Sequence, residues 1–136
     1  MDKPFELMLT LNALQNDMLK TLNRRMVHGL SFSEFLTMYR LSQSPGKAMR
    51  RIELAESVGL SASGVTRLLA PMEKLGLVEK EPNPRDARVS LVKLSGPGEA
   101  ILHDALLSVT EAAQHFFAPL DDAETERLLS LVKTVL

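Results

Sequence analysis

Six basic residues in the middle of this 136-residue sequence stand where they can hold phosphate groups. Lys47, Arg50 and Arg51 lie on and after a Ser-Pro-Gly break, and Arg67 lies inside a helical pattern. Arg85 and Arg88 lie in the stretch EPNPRDARVSLVKLS, residues 81–95. A guanidinium is a planar fork of donors that grips a phosphate, or the O6/N7 edge of guanine, through paired hydrogen bonds. Asp86 stands between the last two arginines, where a carboxylate is useful if it orients one of them; we assign it to Arg88. The whole-chain net charge of −1 conceals an asymmetry. Residues 24–93 carry 12 basic and 7 acidic side chains, whereas residues 94–136 carry 2 basic and 7 acidic ones. A basic middle between acidic ends points to a polyanionic partner, set against the plainer reading of an unevenly charged solvated surface.

Other chemistries find little support. There is no cysteine, so no disulfide framework, thiolate zinc site or thiol sensor is built from this sequence. His28, His103 and His115 are scattered, no His/Asp/Glu cluster has metal spacing, and no glycine-rich phosphate loop follows a strand. Neither a metal nor a cofactor is expected, and no nucleophile or acid–base pair marks an enzyme. The composition, 45% hydrophobic and 24% charged, fits one globular domain with a core of its own. No apolar run approaches the ~20 residues that span a bilayer, so no membrane partner is expected. The amino-terminal stretch MDKPFELMLTLNALQND lacks the basic start and unbroken apolar run of a signal peptide. A cytoplasmic protein is expected.

These basic residues must be positioned by a mainly helical chain. Leu7, Leu11, Leu14, Met18 and Leu22 recur at helical spacing, predicting a long helix over 4–27 that His28-Gly29 stops. A second helix begins at Ser31 or Ser33 and runs to the break at 42–47. A third, short helix fits 49–57, and a fourth runs from the N-cap Ser61 to about Leu75, with Gly76 as terminator. Residues 77–81 and 88–94 read as two strands of a hairpin, and Pro82 and Pro84 should lie outside its paired part. Ser95 caps a fifth helix to about Ala118, tolerating Pro97 in its first turn. DDAE (121–124) reads as a capping box opening the last helix. Pro71, inside the fourth helix, predicts a kink.

The run ELAESVGLSASGVTRL (53–68) meets the demands of a helix-turn-helix. Ala55 is small enough for close helix crossing, Gly59 is free to turn with positive φ, and Val65 plugs the angle. The helix after Ser61 is then the reading helix, with Ala62, Ser63, Thr66 and Arg67 facing base edges. Ser61, Ser63 and Thr66 can also meet phosphates. Gly64 costs about 1 kcal/mol against alanine in a helix, which calls for close approach either to the DNA backbone or to a neighbouring helix. Lys47, Arg50 and Arg51 are candidates for phosphate contacts. A hairpin directly after such a unit is a wing, and a proline-stiffened tip can reach the adjacent minor groove with Arg88 foremost and Arg85 second.

The run from Glu53 to Glu99 resembles the MarR family of winged-helix transcriptional regulators. The resemblance is carried by Leu54-Ala55, Leu60-Ser61 and Val65-Thr66-Arg67, by Gly76-Leu77-Val78, by Asp86-x-Arg88, and by Leu94-Ser95-x-x-Gly98. Ala87 stands where the family often has a second basic residue, with Arg85 as a substitute, and Pro71 is unusual for the reading helix. The resemblance implies one domain over 1–136, with dimerisation helices at 1–28 and 95–136 and a winged helix-turn-helix lobe at 30–94. It implies a homodimer on a pseudo-palindromic operator in double-stranded DNA, acting as a repressor, and a small aromatic or phenolic effector near Met26, Phe35, Tyr39 and His103. The reactive cysteine of the family's hydroperoxide-sensing branch is missing. The broad apolar stripes of the first and last helices independently point to an interface. The runner-up is a winged helix turned protein-interaction module without operator binding.

Overall fold

A computed structural model describes residues 2–136. The chain forms α1 (Lys3–Arg25), α2 (Phe32–Ser42), a 3₁₀ turn (Pro45–Lys47), β1 (Ala48–Arg50), α3 (Arg51–Val58), α4 (Ala62–Lys74), β2 (Val78–Pro82), β3 (Ser90–Leu94), α5 (Gly96–Phe116) and α6 (Asp122–Val135). It divides into two compact units. One comprises the amino-terminal stretch through Arg25 together with Ser108–Leu136; the other is Met26–Leu107.

Met26–Leu107 holds most of the buried side chains: Met38 and Leu41 from α2, Leu54 from α3, Val65, Leu69 and Met72 from α4, and Val78, Val92 and Leu94 from the sheet. Local signals set the helix ends. Ser31 and Glu34 form a reciprocal capping box at α2, with Ser31 N–H to Glu34 Oε1 at 2.8 Å and Glu34 N–H to Ser31 Oγ at 3.2 Å. Asp121 and Glu124 do the same at α6, at 2.7 and 3.1 Å. At the end of α4 Gly76 has φ 73°. There the Leu77 amide donates to Met72 O at 2.9 Å and the Gly76 amide to Glu73 O at 3.0 Å, closing a Schellman turn.

Two expectations need correction. The sheet has three strands, not two, in the order β1-β3-β2, all antiparallel. β1 is only Ala-Met-Arg, and its partners lie more than 40 residues on, at Ala48↔Lys93, Met49↔Val92 and Arg50↔Leu91; three residues paired so far away leave no local alternation to read. Pro82 is in the paired ladder, opposite Ser90. It is the last residue of an edge strand, where a missing amide donor is tolerated. α4 continues as helix through Pro71. The amide lost at Pro71 would have bonded the carbonyl of Arg67, and both residues are exposed, so water can serve that carbonyl.

One joint fixes the order of these parts. The Ser95 hydroxyl donates to Gly76 O and accepts from the Gly98 amide at 3.0 Å, while the Ser95 amide donates to Leu77 O at 3.1 Å. A single residue thus binds the turn after α4 to the end of β3 and the start of α5. Gly98 packs so closely that a Cβ on it would stand 2.1 Å from Leu77 O and 2.7 Å from Leu94 Cδ1. Gly98→Ala should therefore lower unfolding stability by about 3 kcal/mol in urea melts, although alanine favours helix by about 1 kcal/mol. An unchanged melt would show that the joint can open without cost.

Candidate nucleic-acid interface

The helix-turn-helix is α3, Gly59-Leu60-Ser61 and α4. Ala55 is 8% exposed and Val65 is 1% exposed. Gly59 has φ 71°, and the Leu60 amide donates to Ala55 O at 3.0 Å. Ser61 caps α4 by accepting the Gly64 amide at 3.1 Å. At Gly64 an added Cβ would lie 3.3 Å from Ser61 Oγ and 3.5 Å from Leu60 Cβ. The tight neighbour is the capping turn itself, not another helix. Ala62, Ser63, Thr66 and Arg67 are all exposed on the first turns of α4. Ser61 and Ser63 share a hydroxyl contact of 3.2 Å, and the Thr66 hydroxyl donates to Ala62 O at 3.1 Å. Among the described residues no carboxylate lies within ion-pair distance of Arg67 or Arg85.

The wing tip, residues 83–89, is two consecutive turns. The Asp86 amide donates to Asn83 O at 3.2 Å and the Val89 amide to Asp86 O at 3.1 Å. Asn83 and Asp86 each also accept, through side-chain oxygen, the amide two residues on, from Arg85 and Arg88, at 3.0 Å. Pro84 follows Asn83 at the turn position that favours proline. Arg88 Nε lies 3.2 Å from Asp86 Oδ1 and Nη2 lies 3.5 Å from Oδ2. The Arg88 side chain is nonetheless 91% exposed, so the carboxylate aims a guanidinium that stays open to solvent. The Arg88 guanidinium, and then its backbone amide, hold the Asp86 carboxyl below its ordinary value.

The basic residues before the motif are differently placed. Arg50 is the N-cap of α3 and Arg51 its first residue. Lys47 has φ 56° and is ion-paired to Glu99. Arg50 Nε lies 3.1 Å from Glu53 Oε1, and Arg51 Nη2 lies 3.1 Å from Glu73 Oε1. Glu53 is held low, first by the Arg50 amide and then by its guanidinium. Each of these three cations therefore meets a carboxylate of the chain itself, which the sequence reading did not include. Glu53, three residues after Arg50, was legible as a helix-start pair; Glu73 and Glu99 lie 22 and 52 residues from their partners and were not.

The four residues named for an effector are not alike. Phe35 is 5% exposed, its ring stacked with Phe32 at 5.9 Å and with Tyr39 at 6.1 Å, so it is packed as core. Met26 and Tyr39 are half-buried and His103 is exposed. No group of three His, Cys, Asp or Glu able to hold a metal occurs among the described residues.

A capped reading helix followed by a turn-stiffened hairpin defines a winged helix-turn-helix protein. The MarR family model matches residues 28–89. Transcriptional regulator HosA of Escherichia coli O111:H- is 28% identical over 107 residues, which cover 79% of this chain and 78% of the relative. A MarR mutant from E. coli, crystallised with operator DNA, has a TM-score of 0.87 and 25% identity, covering 96% of this chain and 94% of that one. The PcaV regulator of Streptomyces coelicolor, crystallised with its natural ligand, has a TM-score of 0.84 and 22% identity over 99% and 94% of the two chains. The central part of the chain thus matches the MarR family model, and nearly the whole chain shares the fold of a MarR regulator solved on operator DNA.

The Asp86–Arg88 tie has a testable pH signature. Its folded carboxyl titrates below the ordinary 3.8, so the tie is complete at neutral pH and is lost only as pH falls through that lower value. Carbon NMR of the Asp86 carboxyl should give a midpoint under 3.8 that returns upward in Arg88→Ala. Identical midpoints in the two proteins would remove the tie.

Proposed function

We propose that this protein binds a pseudo-palindromic operator as a homodimer and represses transcription from it, with α4 in the major groove and the wing tip in the adjacent minor groove. The observation that carries the reading is the exposure, on one compact unit, of Arg67 at the reading helix and Arg88 at a rigid tip, the latter aimed by Asp86. Ala62, Ser63 and Thr66 stand beside Arg67 to meet base edges or phosphates, and Ser61 and Gly64 bring the start of α4 close to the backbone. Arg85 is a second cation at the tip. Lys47, Arg50 and Arg51 reach phosphates by exchanging Glu99, Glu53 and Glu73 for DNA, an exchange that moderates affinity.

The dimer would be made by residues 1–28 and 95–136. Supporting this, α6 has no buried residue of its own, and Leu129, Leu131 and Leu136 are 52%, 50% and 98% exposed. On α1, Phe5, Leu7, Met8, Leu9 and Leu11 are exposed as well. Faces of that size are covered by a partner. Two-fold symmetry would set the reading helices about one DNA turn apart, or a multiple of it. A small aromatic or phenolic effector would release the DNA by meeting Met26, Tyr39 and His103, with Phe35 backing the Tyr39 ring. The PcaV relative solved with its natural ligand is consistent with such control. No helix among the described residues is long and apolar enough to cross a membrane, and a cytoplasmic location fits the role.

Gel shifts with the chain's own upstream DNA test the reading. Arg88→Ala should weaken binding by roughly tenfold and lower the salt dependence by about one counterion, with the melting curve kept. Failure of the parent protein to shift that DNA at low salt would instead favour an interaction module. Leu131→Glu should halve the mass seen in sedimentation and remove operator binding with it; a variant that remains dimeric would place the interface elsewhere.

A further inference from the structure

Among the described residues, some basic side chains are ion-paired within the chain and others are not. In Met26–Leu107, Lys47, Arg50, Arg51 and Arg88 each lie against a carboxylate. In the other unit, Arg24 and Arg25 make no ion pair and no side-chain hydrogen bond among the described residues. Yet the Ser108–Leu136 part of that unit holds 5 acidic side chains against 2 basic ones. The two arginines end α1 and line a recess of about 370 Å³ with Thr21, His115, Phe116 and Pro119. No Asp or Glu lines it, and its walls are more polar than apolar.

Basic residues in the last turn of a helix offset the negative end of its dipole, and Arg24, Arg25 and His115 all occupy last turns. That accounts for one basic residue at each helix end. It leaves unexplained a second guanidinium on α1, with Thr21 in the same lining. Each helix end contributes only about half a negative charge, against one full positive charge from each guanidinium, so the recess stays cationic.

We propose that this recess binds the phosphate group of a small phosphomonoester. Arg24 and Arg25 hold the phosphate oxygens through their N–H forks, Thr21 and His115 add donors, and Phe116 and Pro119 cover the organic part. Two features favour phosphate over a carboxylic acid. A phosphomonoester carries nearly two negative charges near neutral pH and three acceptor oxygens, matching two guanidiniums and two further donors, whereas a carboxylate offers one charge and two oxygens. The lining also supplies two guanidiniums for one anionic group, more positive charge than a single carboxylate can balance. Met26, Phe35, Tyr39 and His103 do not line this recess; it is a second site, and its binding is independent of the DNA reading.

Calorimetric titration of the full chain with phenyl phosphate, benzoate and inorganic phosphate tests this. Phenyl phosphate should saturate one site per chain and benzoate should bind at least about tenfold more weakly, as the stronger charge-assisted bonds require. Inorganic phosphate should displace phenyl phosphate. Arg24→Gln and Arg25→Gln should each weaken phenyl phosphate about tenfold with unchanged melting, since both residues are exposed. His115→Gln should weaken it less. On the unmutated chain, an NMR contact between the phenyl protons and the Phe116 ring should appear. Equal binding of benzoate, unaltered affinity in the folded arginine variants, or absence of the Phe116 contact would overturn the proposal. So would phenyl phosphate binding only to dissociated chains, because the recess would then belong to the contact between copies.

Discussion

The hydroxyl of Ser95 is where this architecture is held. It donates to the carbonyl of Gly76, just after the reading helix, and accepts the Gly98 amide, just inside α5. Its own backbone amide is bonded to Leu77, at the start of the wing. Helix, wing and connecting helix therefore share one buried residue. Gly98 allows this because no side chain can stand where Leu77 O and Leu94 already are. Leu94-Ser95-x-x-Gly98, one of the stretches that carry the resemblance in the sequence, is the chemical description of this joint: an apolar strand end, a hydroxyl with two partners, and a residue without a Cβ.

Much of the fold was legible because its decisive signals are local. Ser31, Ser61 and Asp121 are N-caps by their own chemistry, Gly59 and Gly76 turn with positive φ, and apolar spacing gave α2 and α4 their buried faces. What escaped was non-local. β1 exists only because β3 lies beside it, and Ala48-Met49-Arg50 alone says nothing of a strand. Pro71 removes one backbone hydrogen bond from α4. Whether that loss matters depends on which side of the helix faces water, and Arg67 and Pro71 both do. Gly64 posed a choice between two close approaches; within the chain its tight neighbour is not another helix but the capping serine three residues before it.

The candidate interface divides along the same line. Arg67 and the Asp86-x-Arg88 tip could be named from spacing, because helix periodicity and turn chemistry place them. The partners of Lys47 and Arg51 could not, since Glu99 and Glu73 are brought close only by the finished fold. This changes the electrostatic picture. The surplus positive charge of residues 24–93 is not spread evenly: near the start of α3 it is largely neutralised at contact distance, and it survives at the reading helix and the wing tip. Charge counted along a sequence locates a basic region; which cations remain available is decided by packing.

The sheet offers a last consequence. Of its two open sides, one is β1, three residues long, and the other is β2, which carries Glu79, Lys80 and Glu81 and ends in Pro82. Short, charged and proline-ended edges are poor templates for another strand. Copies of this chain thus have little means of joining strand to strand into fibres, and self-association is channelled to helical surfaces, where it can stop at a closed assembly.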